Sequence, residues 1–306
     1  MDKKLLLIVN PISGLKQGVK HLPVIINEFC AAGYLCTVYI TKCRGDAKQF
    51  VFGLKDGYDI IVCVGGDGTL NEVVSGVVDS KADIAIGYIP TGSTNDFASS
   101  LGISKNIKTA VSDIISGTPC RLDVGSFNDR VFTYVTSFGA FTETSYSVPQ
   151  NSKNILGHFA YVLEGIKELP TLRVKRMAVK ADDKHFEGEY VFGAISNSTS
   201  IGGLLKYPPN IVDLSDGMLE ILLFKMPQNI VELGTLIQCI NSKNFDNDLI
   251  EFCSAKSVTV YCEDSVNWTV DGEYAEGREK NIIKNVCGAI NVVVPTKKLK
   301  LGDRYV

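Results

Sequence analysis

Ile60-Ile61-Val62-Cys63-Val64-Gly65-Gly66-Asp67-Gly68-Thr69-Leu70 is the stretch that decides the fold. The segment Asp59 to Val64 reads as a buried strand. Gly65, Gly66 and Gly68 let the backbone come close to a bulky anion and present several N–H groups to it. Leu70, Val73, Val74, Val77 and Val78 then form the stripe of a helix starting near Leu70. Its N-terminus would add partial positive charge where a phosphate would sit. Asp67 is odd in a pure anion site, because its carboxylate repels phosphate. It makes sense with Mg²⁺ between the two, since that ion takes one or two carboxylates together with phosphate oxygens and water. The plainer reading is a strand-to-helix turn in which Asp67 or Thr69 caps the helix.

The same grammar extends on both sides. Leu5 to Val9, Leu35 to Ile40 and Ile84 to Ile89 read as strands. Leu22, Ile25, Ile26 and Phe29 form one helical stripe, and Ile107, Ala110, Val111, Ile114 and Ile115 another. Short strand–helix units predict a parallel α/β sheet over the first 120 or so residues. Beyond Pro119 strands follow one another directly: 121–127, 130–137, 173–181, 186–197, 218–224, 257–262, 266–270 and 289–294. Asn128-Asp129, Asp216-Gly217 and Asp271-Gly272 punctuate them as turns. Helices are expected around Leu156, Phe159, Ala160 and Leu163 and over Ile230 to Ile240. The second half therefore reads as a β-sandwich-like domain. The boundary falls near 118–124, giving domains over 1–122 and 123–295, with the basic tail 296–306 folding back on the first.

Composition narrows the function. With 306 residues, 45% of them hydrophobic and 21% charged, the chain can bury a substantial core, which excludes wholesale disorder. Thirty-one Lys and Arg against 34 Asp and Glu leave a net charge of −3, against a general nucleic-acid binder. Its longest apolar runs fall far short of a membrane span, and no leader pattern opens the chain, so a cytoplasmic protein is expected. Nine widely spaced cysteines without a C-x-x-C pair point to reduced thiols, several of them buried. His21, His158 and His185 define no triad or zinc site by spacing.

Two more loops settle what the glycine turn is for. Asn10-Pro11-Ile12-Ser13-Gly14 ends the first strand, and Pro90-Thr91-Gly92-Ser93-Thr94-Asn95-Asp96 ends the fourth. Successive strands of a parallel sheet open onto one crevice, where ligands bind. Three polar, glycine-containing loops on one edge favour a nucleotide-phosphate site. No loop ends in Gly-Lys-Ser or Gly-Lys-Thr, which excludes a P-loop enzyme. The missing G-x-G-x-x-G weakens a Rossmann dehydrogenase.

Asn-Pro-x-Ser-Gly at 10–14, Gly-Gly-Asp-Gly-Thr at 65–69 with Asn71 and Glu72, and Pro-x-Gly-Ser-x-Asn-Asp-Phe at 90–97 resemble the diacylglycerol kinase catalytic-domain family. More narrowly, the chain looks like its soluble bacterial lipid kinases, related to sphingosine kinases and NAD kinases. The likeness runs over essentially the whole chain, through Ile155-Leu156-Gly157 to Tyr161, Ile201-Gly202-Gly203, Asp216-Gly217 and Asp271-Gly272-Glu273. It implies a phosphofructokinase/NAD kinase-like first domain, ATP and Mg²⁺ as cofactors, and transfer of a phosphoryl group to a lipid hydroxyl, that of diacylglycerol first of all. By resemblance ATP contacts Asn10, Pro11, Ile12, Ser13, Gly14, Thr41, Gly65, Gly66, Asp67, Gly68, Thr69, Leu70, Asn71, Glu72, Ser93 and Asn95. Ser93 stands where the family usually has Thr. Asp67 would orient Mg²⁺ through water.

In the second domain the resemblance makes Glu273 the proton acceptor, with Asp271 close behind; the sequence does not separate them. Glu273 lies beyond the Asp-Gly turn and is not needed for it. Asp213, Asp216 and Met218 would hold a structural Mg²⁺, Asp216 through its carboxylate and the other two mainly through backbone oxygen. The competing reading is one more Asp-Gly hairpin. Peripheral contact with a membrane is implied by a lipid substrate, with 147–154, 155–169 and the nearby Lys153, Lys167, Arg173, Lys175 and Arg176 as candidates. A homodimer is left open. The alternatives are a same-family kinase for phosphatidylglycerol, a sphingoid base or undecaprenol, an NAD kinase-like enzyme, or a non-catalytic nucleotide or lipid sensor.

Overall fold

The structure is a computed structural model and describes residues 3–55, 57–139, 175–201, 205–207, 211–262 and 266–296. The expected helix over 155–169, the loop 147–154, Lys153, Lys167, Arg173, Gly202-Gly203 and the tail from 297 lie outside the described residues. The chain forms two units. One runs from the N-terminus to Val124 and resumes at Val286; the other is Gly125–Asn285.

The first unit alternates strand and helix: β1 (Lys3–Val9), α1 (Gln17–Ala31), β2 (Tyr34–Ile40), α2 (Asp46–Phe52), β3 (Ile60–Gly65), α3 (Asp67–Ser80), β4 (Ala85–Pro90), α4 (Asp96–Leu101) and α5 (Ile107–Ser116). The strands are parallel in the order β2-β1-β3-β4. Val9 lies beside both Ile40 and Val64, and Val64 beside Ile89. That register makes all four strands end at one level, so the loops beginning at 10, 41, 66 and 91 leave from one edge. β1 and β3 are buried on both faces, as near-continuous apolar runs demand. Leu5, Leu7 and Val9 pack in one cluster with Ile25 and Phe29 of α1 and Val111 and Ile114 of α5. Each such side chain contributes ~1.5–3 kcal/mol on burial. The edge strand β2 is the most exposed of the four, and the sequence alternation there is correspondingly weak.

β5 (Thr118–Phe127) leads into the second unit. There follow β6 (Arg130–Phe132), β7 (Val135–Gly139), β8 (Lys175–Ala181), β9 (Lys184–Ser196), β10 (Ser200–Ile201), β11 (Leu205–Lys206), β12 (Leu219–Lys225), α6 (Ile230–Ser242), β13 (Ile250–Ala255), β14 (Ser257–Cys262), β15 (Trp268–Val270), β16 (Glu273–Ala275) and β17 (Lys280–Val294). Pairing within this unit is antiparallel, with β9 as its hub: Lys184–Tyr190 pairs β8, while Phe192–Ser196 pairs both β7 and β12. Trp268 sits 4.8 Å, centroid to centroid, from Phe127 and from Phe138.

The strand expected over 130–137 is two strands, β6 and β7, interrupted at Thr133 and Tyr134. The cause is a carboxylate from elsewhere, described below. The last strand begins at Lys280 rather than Ala289, pairing β14 first and running parallel to β4 at Asn291 and Val292. β13, β16, α2 and α4 gave no sequence signal. They are short, and their partners rather than their periodicity define them.

Candidate active site

At the common edge of the first unit, side chains tie the three motif loops together. Asn10 donates its Nδ2 to Thr69 Oγ1 at 2.9 Å and accepts the Ile12 N–H at 3.1 Å. Thr91 Oγ1 donates to Ser13 Oγ at 3.1 Å. Backbones also meet. A Cβ on Gly92 would lie 2.7 Å from Gly66 Cα, and one on Gly14 would overlap the Thr91 carbonyl oxygen. Gly14 is in the left-handed region besides, at φ +53°. These glycines let three loops close on one another, the near approach of backbones that a phosphate cradle requires.

The helix begins at Asp67, not Leu70, with Gly66 at its N-cap and no side-chain cap. Asp67 therefore sits in the first turn of α3. Gly68 is exposed, Gly65, Thr69 and Leu70 are buried, and Ile12 is 77% exposed at the rim with Pro11 half-buried. Thr41 is buried at the end of β2, its N–H donating to Val9 O at 2.9 Å. Ser93 is exposed.

Two motif residues have their side chains engaged in holding the frame. Glu72 accepts the N–H of Gly45 at 2.7 Å and of Ala47 at 3.1 Å, anchoring the start of α2. Asn95 is buried; it accepts from Gly92 N at 3.0 Å and Tyr88 Oη at 3.3 Å and donates to Gly92 O at 2.7 Å. Leu70 is core, and Asn71 Oδ1 accepts from Ser75 Oγ at 3.5 Å. The sequence showed that these residues belong to one edge, but not that some of them shape the site from behind.

In the second unit, Asp271 and Gly272 occupy the two central positions of the β15–β16 hairpin at φ +49° and +78°, while Val270 pairs Glu273. Their side chains differ sharply in setting. Asp271 is buried, with Oδ2 accepting from Thr133 N at 2.6 Å and Thr133 Oγ1 at 2.7 Å, and Oδ1 from Tyr134 N at 3.0 Å and Val135 N at 3.1 Å. Burial raises this carboxyl above its ordinary value, against the opposing pull of those hydrogen bonds. Glu273 is partly exposed, and its Oε2 lies 3.4 Å from the Arg130 guanidinium, whose Nη1 also donates to Tyr274 O at 2.9 Å. A cavity of about 490 Å³ opens beside Arg130, with Tyr274, Glu276 and Arg278 among its walls. Mixed charges on those walls suit a polar group better than an acyl chain.

The turn 213–218 is braced by Asp213 Oδ1, which accepts from Ser215 N and Oγ, by Asp216 Oδ1, which accepts from Met218 N at 2.9 Å, and by Met218 O, which accepts from Asn285 Nδ2 at 2.9 Å. Its donors are all oxygens, the set a hard divalent cation takes. Among the described residues no three His, Cys, Asp or Glu side chains gather as a cation cage, so any ligand shell here draws on backbone oxygen. Just past the turn, Glu220 is wholly buried and has no hydrogen-bond partner. Burial, with Asp216 and Asp213 nearby, pushes its carboxyl up to about 8. The oxygen donors of this turn fit Mg²⁺.

Residues 4–127 match the diacylglycerol kinase catalytic domain, and residues 137–294 match the YegS C-terminal NAD kinase beta sandwich-like domain. The chain is 33% identical over 304 residues to a diacylglycerol kinase of Bacillus subtilis, covering 98% of this chain and 99% of that one. To a diacylglycerol kinase of Staphylococcus saprophyticus it is 31% identical, covering 96% of each. A solved Bacillus anthracis structure, described as a putative diacylglycerol kinase, superposes with a TM-score of 0.79 at 26% identity, covering 95% of this chain and 97% of that one. The chain belongs to the diacylglycerol kinase family. It is a lipid kinase.

Two residues of this diacylglycerol kinase family member received no role from sequence. Arg130 follows directly on the Asn128-Asp129 turn, and only the fold sets it against Glu273. Glu220 did leave a signal, as the one acid in the apolar run Leu219 to Phe224. A charge inside an otherwise buried strand asks for a partner or a ligand.

Proposed function

We propose that this kinase transfers the γ-phosphoryl group of ATP to the free hydroxyl of diacylglycerol, yielding phosphatidic acid and ADP. The observation that carries the substrate is the end-to-end similarity to proteins named diacylglycerol kinase. In this reading the first unit holds the nucleotide at the edge where Asn10–Gly14, Thr41, Gly65–Thr69 and Ser93 lie, and the second unit handles the lipid. Backbone N–H groups of the glycine loops and the start of α3 stabilise the phosphates. Glu72 and Asn95 keep those loops in place rather than touching ATP.

As the acceptor oxygen bonds to the γ-phosphorus, the bond from that phosphorus to the β–γ bridging oxygen breaks and ADP leaves. The hydroxyl proton passes to Glu273. Two observations support Glu273 over Asp271 for this step: four donors already occupy the buried Asp271 oxygens, while the Glu273 side chain is partly exposed, with the Arg130 guanidinium beside it. Asp67 would orient a Mg²⁺ that supplies charge neutralisation at the phosphates, and Asp213, Asp216 and Met218 would hold a second, structural ion. No described helix is long and apolar enough to cross a membrane, and lipid is reached by peripheral contact from the cytoplasmic side.

The test is product analysis by mass spectrometry after incubation with Mg-ATP and vesicles carrying diacylglycerol, phosphatidylglycerol, a sphingoid base or undecaprenol. Phosphatidic acid as the dominant product is expected. Phosphorylation of another of these lipids in preference would replace the substrate while leaving the lipid kinase.

A further inference from the structure

β6 is three residues long, yet buried polar side chains grip the chain on both sides of it. On the near side, the turn at Asn128 is tied to β17. Asn128 N donates to Ile282 O at 2.8 Å, Ile282 N to Asn128 Oδ1 at 2.9 Å, and Asn128 Nδ2 to Asn281 Oδ1 at 3.2 Å. Asn281 is 0% exposed and also holds the backbone of Arg278, accepting its N–H at 2.9 Å and donating to its carbonyl at 2.7 Å. On the far side, Asp271 takes the N–H groups of Thr133, Tyr134 and Val135. Buried networks of this kind hold a segment in one conformation. Arg130 leaves the chain between the two grips.

Its guanidinium reaches across to β16, where Nη1 donates to Tyr274 O at 2.9 Å and Nη2 lies 3.4 Å from Glu273 Oε2. One planar fork thus spans a backbone oxygen and the neighbouring carboxylate of the same short strand. The hairpin that carries Glu273 grips the end of β6 through Asp271, and the start of β6 sends Arg130 back to Glu273. Stability does not account for the pair. Its side chains are 40% and 38% exposed, and ion pairs so exposed add little to folding. A partly exposed glutamate samples several rotamers, whereas a proton acceptor must stand within hydrogen-bond reach of the hydroxyl it serves. We propose that Arg130 is a positioning residue for phosphoryl transfer, holding the Glu273 carboxylate where the acceptor hydroxyl gives up its proton. The proposal rests on the reading of Glu273 as proton acceptor and adds to it the side chain that sets its geometry. Arg130 acts through Glu273 and takes no proton itself, because a guanidinium stays charged in proteins.

The test is steady-state kinetics of the full chain on diacylglycerol vesicles with Mg-ATP, comparing the unmodified protein, Arg130→Met, Arg130→Lys, Glu273→Gln and the double variant Arg130→Met/Glu273→Gln. Thermal unfolding is followed on each. Arg130→Met should lower kcat about 10- to 100-fold, the scale of a misplaced reacting group, with KM for either substrate little changed. Arg130→Lys should recover part of that loss, since an ammonium meets the carboxylate but lacks the fork that also holds Tyr274 O. The double variant should be no slower than Glu273→Gln alone, because there is no longer a proton acceptor to position. Full kcat in Arg130→Met overturns the proposal. So does a double variant slowed by the product of the two single effects, which would make Arg130 act independently of Glu273, or a rise in KM at unchanged kcat, which would make it a binding residue. Failure of both Arg130 variants to fold assigns Arg130 to the framework and likewise ends the proposal. Full kcat in Glu273→Gln instead strikes the proton acceptor itself, and the role of Arg130 falls with it.

Discussion

Asp271 Oδ2 accepts two hydrogen bonds from Thr133, from its N–H at 2.6 Å and its hydroxyl at 2.7 Å, at the point where β6 gives way to β7. The other oxygen takes the N–H groups of Tyr134 and Val135. One carboxylate from a hairpin turn thus replaces the ladder bonds that an unbroken strand would have made over these residues. Asp271→Ala leaves several buried donors unanswered at once, each worth about 1–3 kcal/mol. Urea denaturation is expected to show a loss of about 3 kcal/mol or more. A change below about 1 kcal/mol, the size of a single ordinary hydrogen bond, would mean that water replaces the carboxylate without cost.

Gly92 and Gly66 meet backbone to backbone, with room for no Cβ on Gly92. Gly92→Ala must push the 90–95 loop away from the glycine turn and, in the proposed nucleotide site, would misplace the loops that hold the phosphates. Calorimetric affinity for Mg-ATP should fall by about tenfold or more, corresponding to about 1.4 kcal/mol, while far-ultraviolet circular dichroism stays unchanged. Unchanged affinity would separate the loop contact from nucleotide binding.

Asp46 accepts the Lys42 N–H at 2.7 Å and the Tyr39 hydroxyl at 2.8 Å, and these bonds hold its carboxyl below the usual carboxylate range. A depressed folded value means that its contribution is fully present above the ordinary, unfolded value and fades as pH falls through the lowered one. Hydrogen exchange should show the Lys42 amide protected from neutral pH down through the ordinary carboxylate range, with protection lost only on further acidification. Asp46→Ala should abolish that protection at neutral pH. Loss of protection well above the carboxylate range in the unmodified protein would contradict the assignment.

The first unit was legible because its strands are buried on both faces and its loops carry glycines at the strand ends. The parallel register then brings 10, 41, 66 and 91 to one edge, as the alternation of strands and helices implied. The second unit was less so. A run of β-prone residues from 130 to 137 cannot announce that Asp271, far along the chain, will interrupt it. The same distance hid the choice between Asp271 and Glu273, since both belong to an Asp-Gly-Glu hairpin and only their partners tell them apart. Glu72 and Asn95 were recognisable as motif residues, yet their engagement with Gly45, Ala47 and Gly92 is a property of the folded loops. Of the nine cysteines, Cys63, Cys120, Cys239, Cys253 and Cys262 are buried, and burial raises the Cys63, Cys120 and Cys253 thiols.

The most direct measurement is steady-state phosphorylation of diacylglycerol vesicles by the unmodified protein and Glu273→Gln, with urea stability measured on both. As proton acceptor, Glu273 should carry about a 10²–10⁴-fold effect on kcat. Its partly exposed side chain predicts little change in stability. A Glu273→Gln protein that keeps full kcat, or that loses activity only because it unfolds, would contradict the assignment of the proton to Glu273.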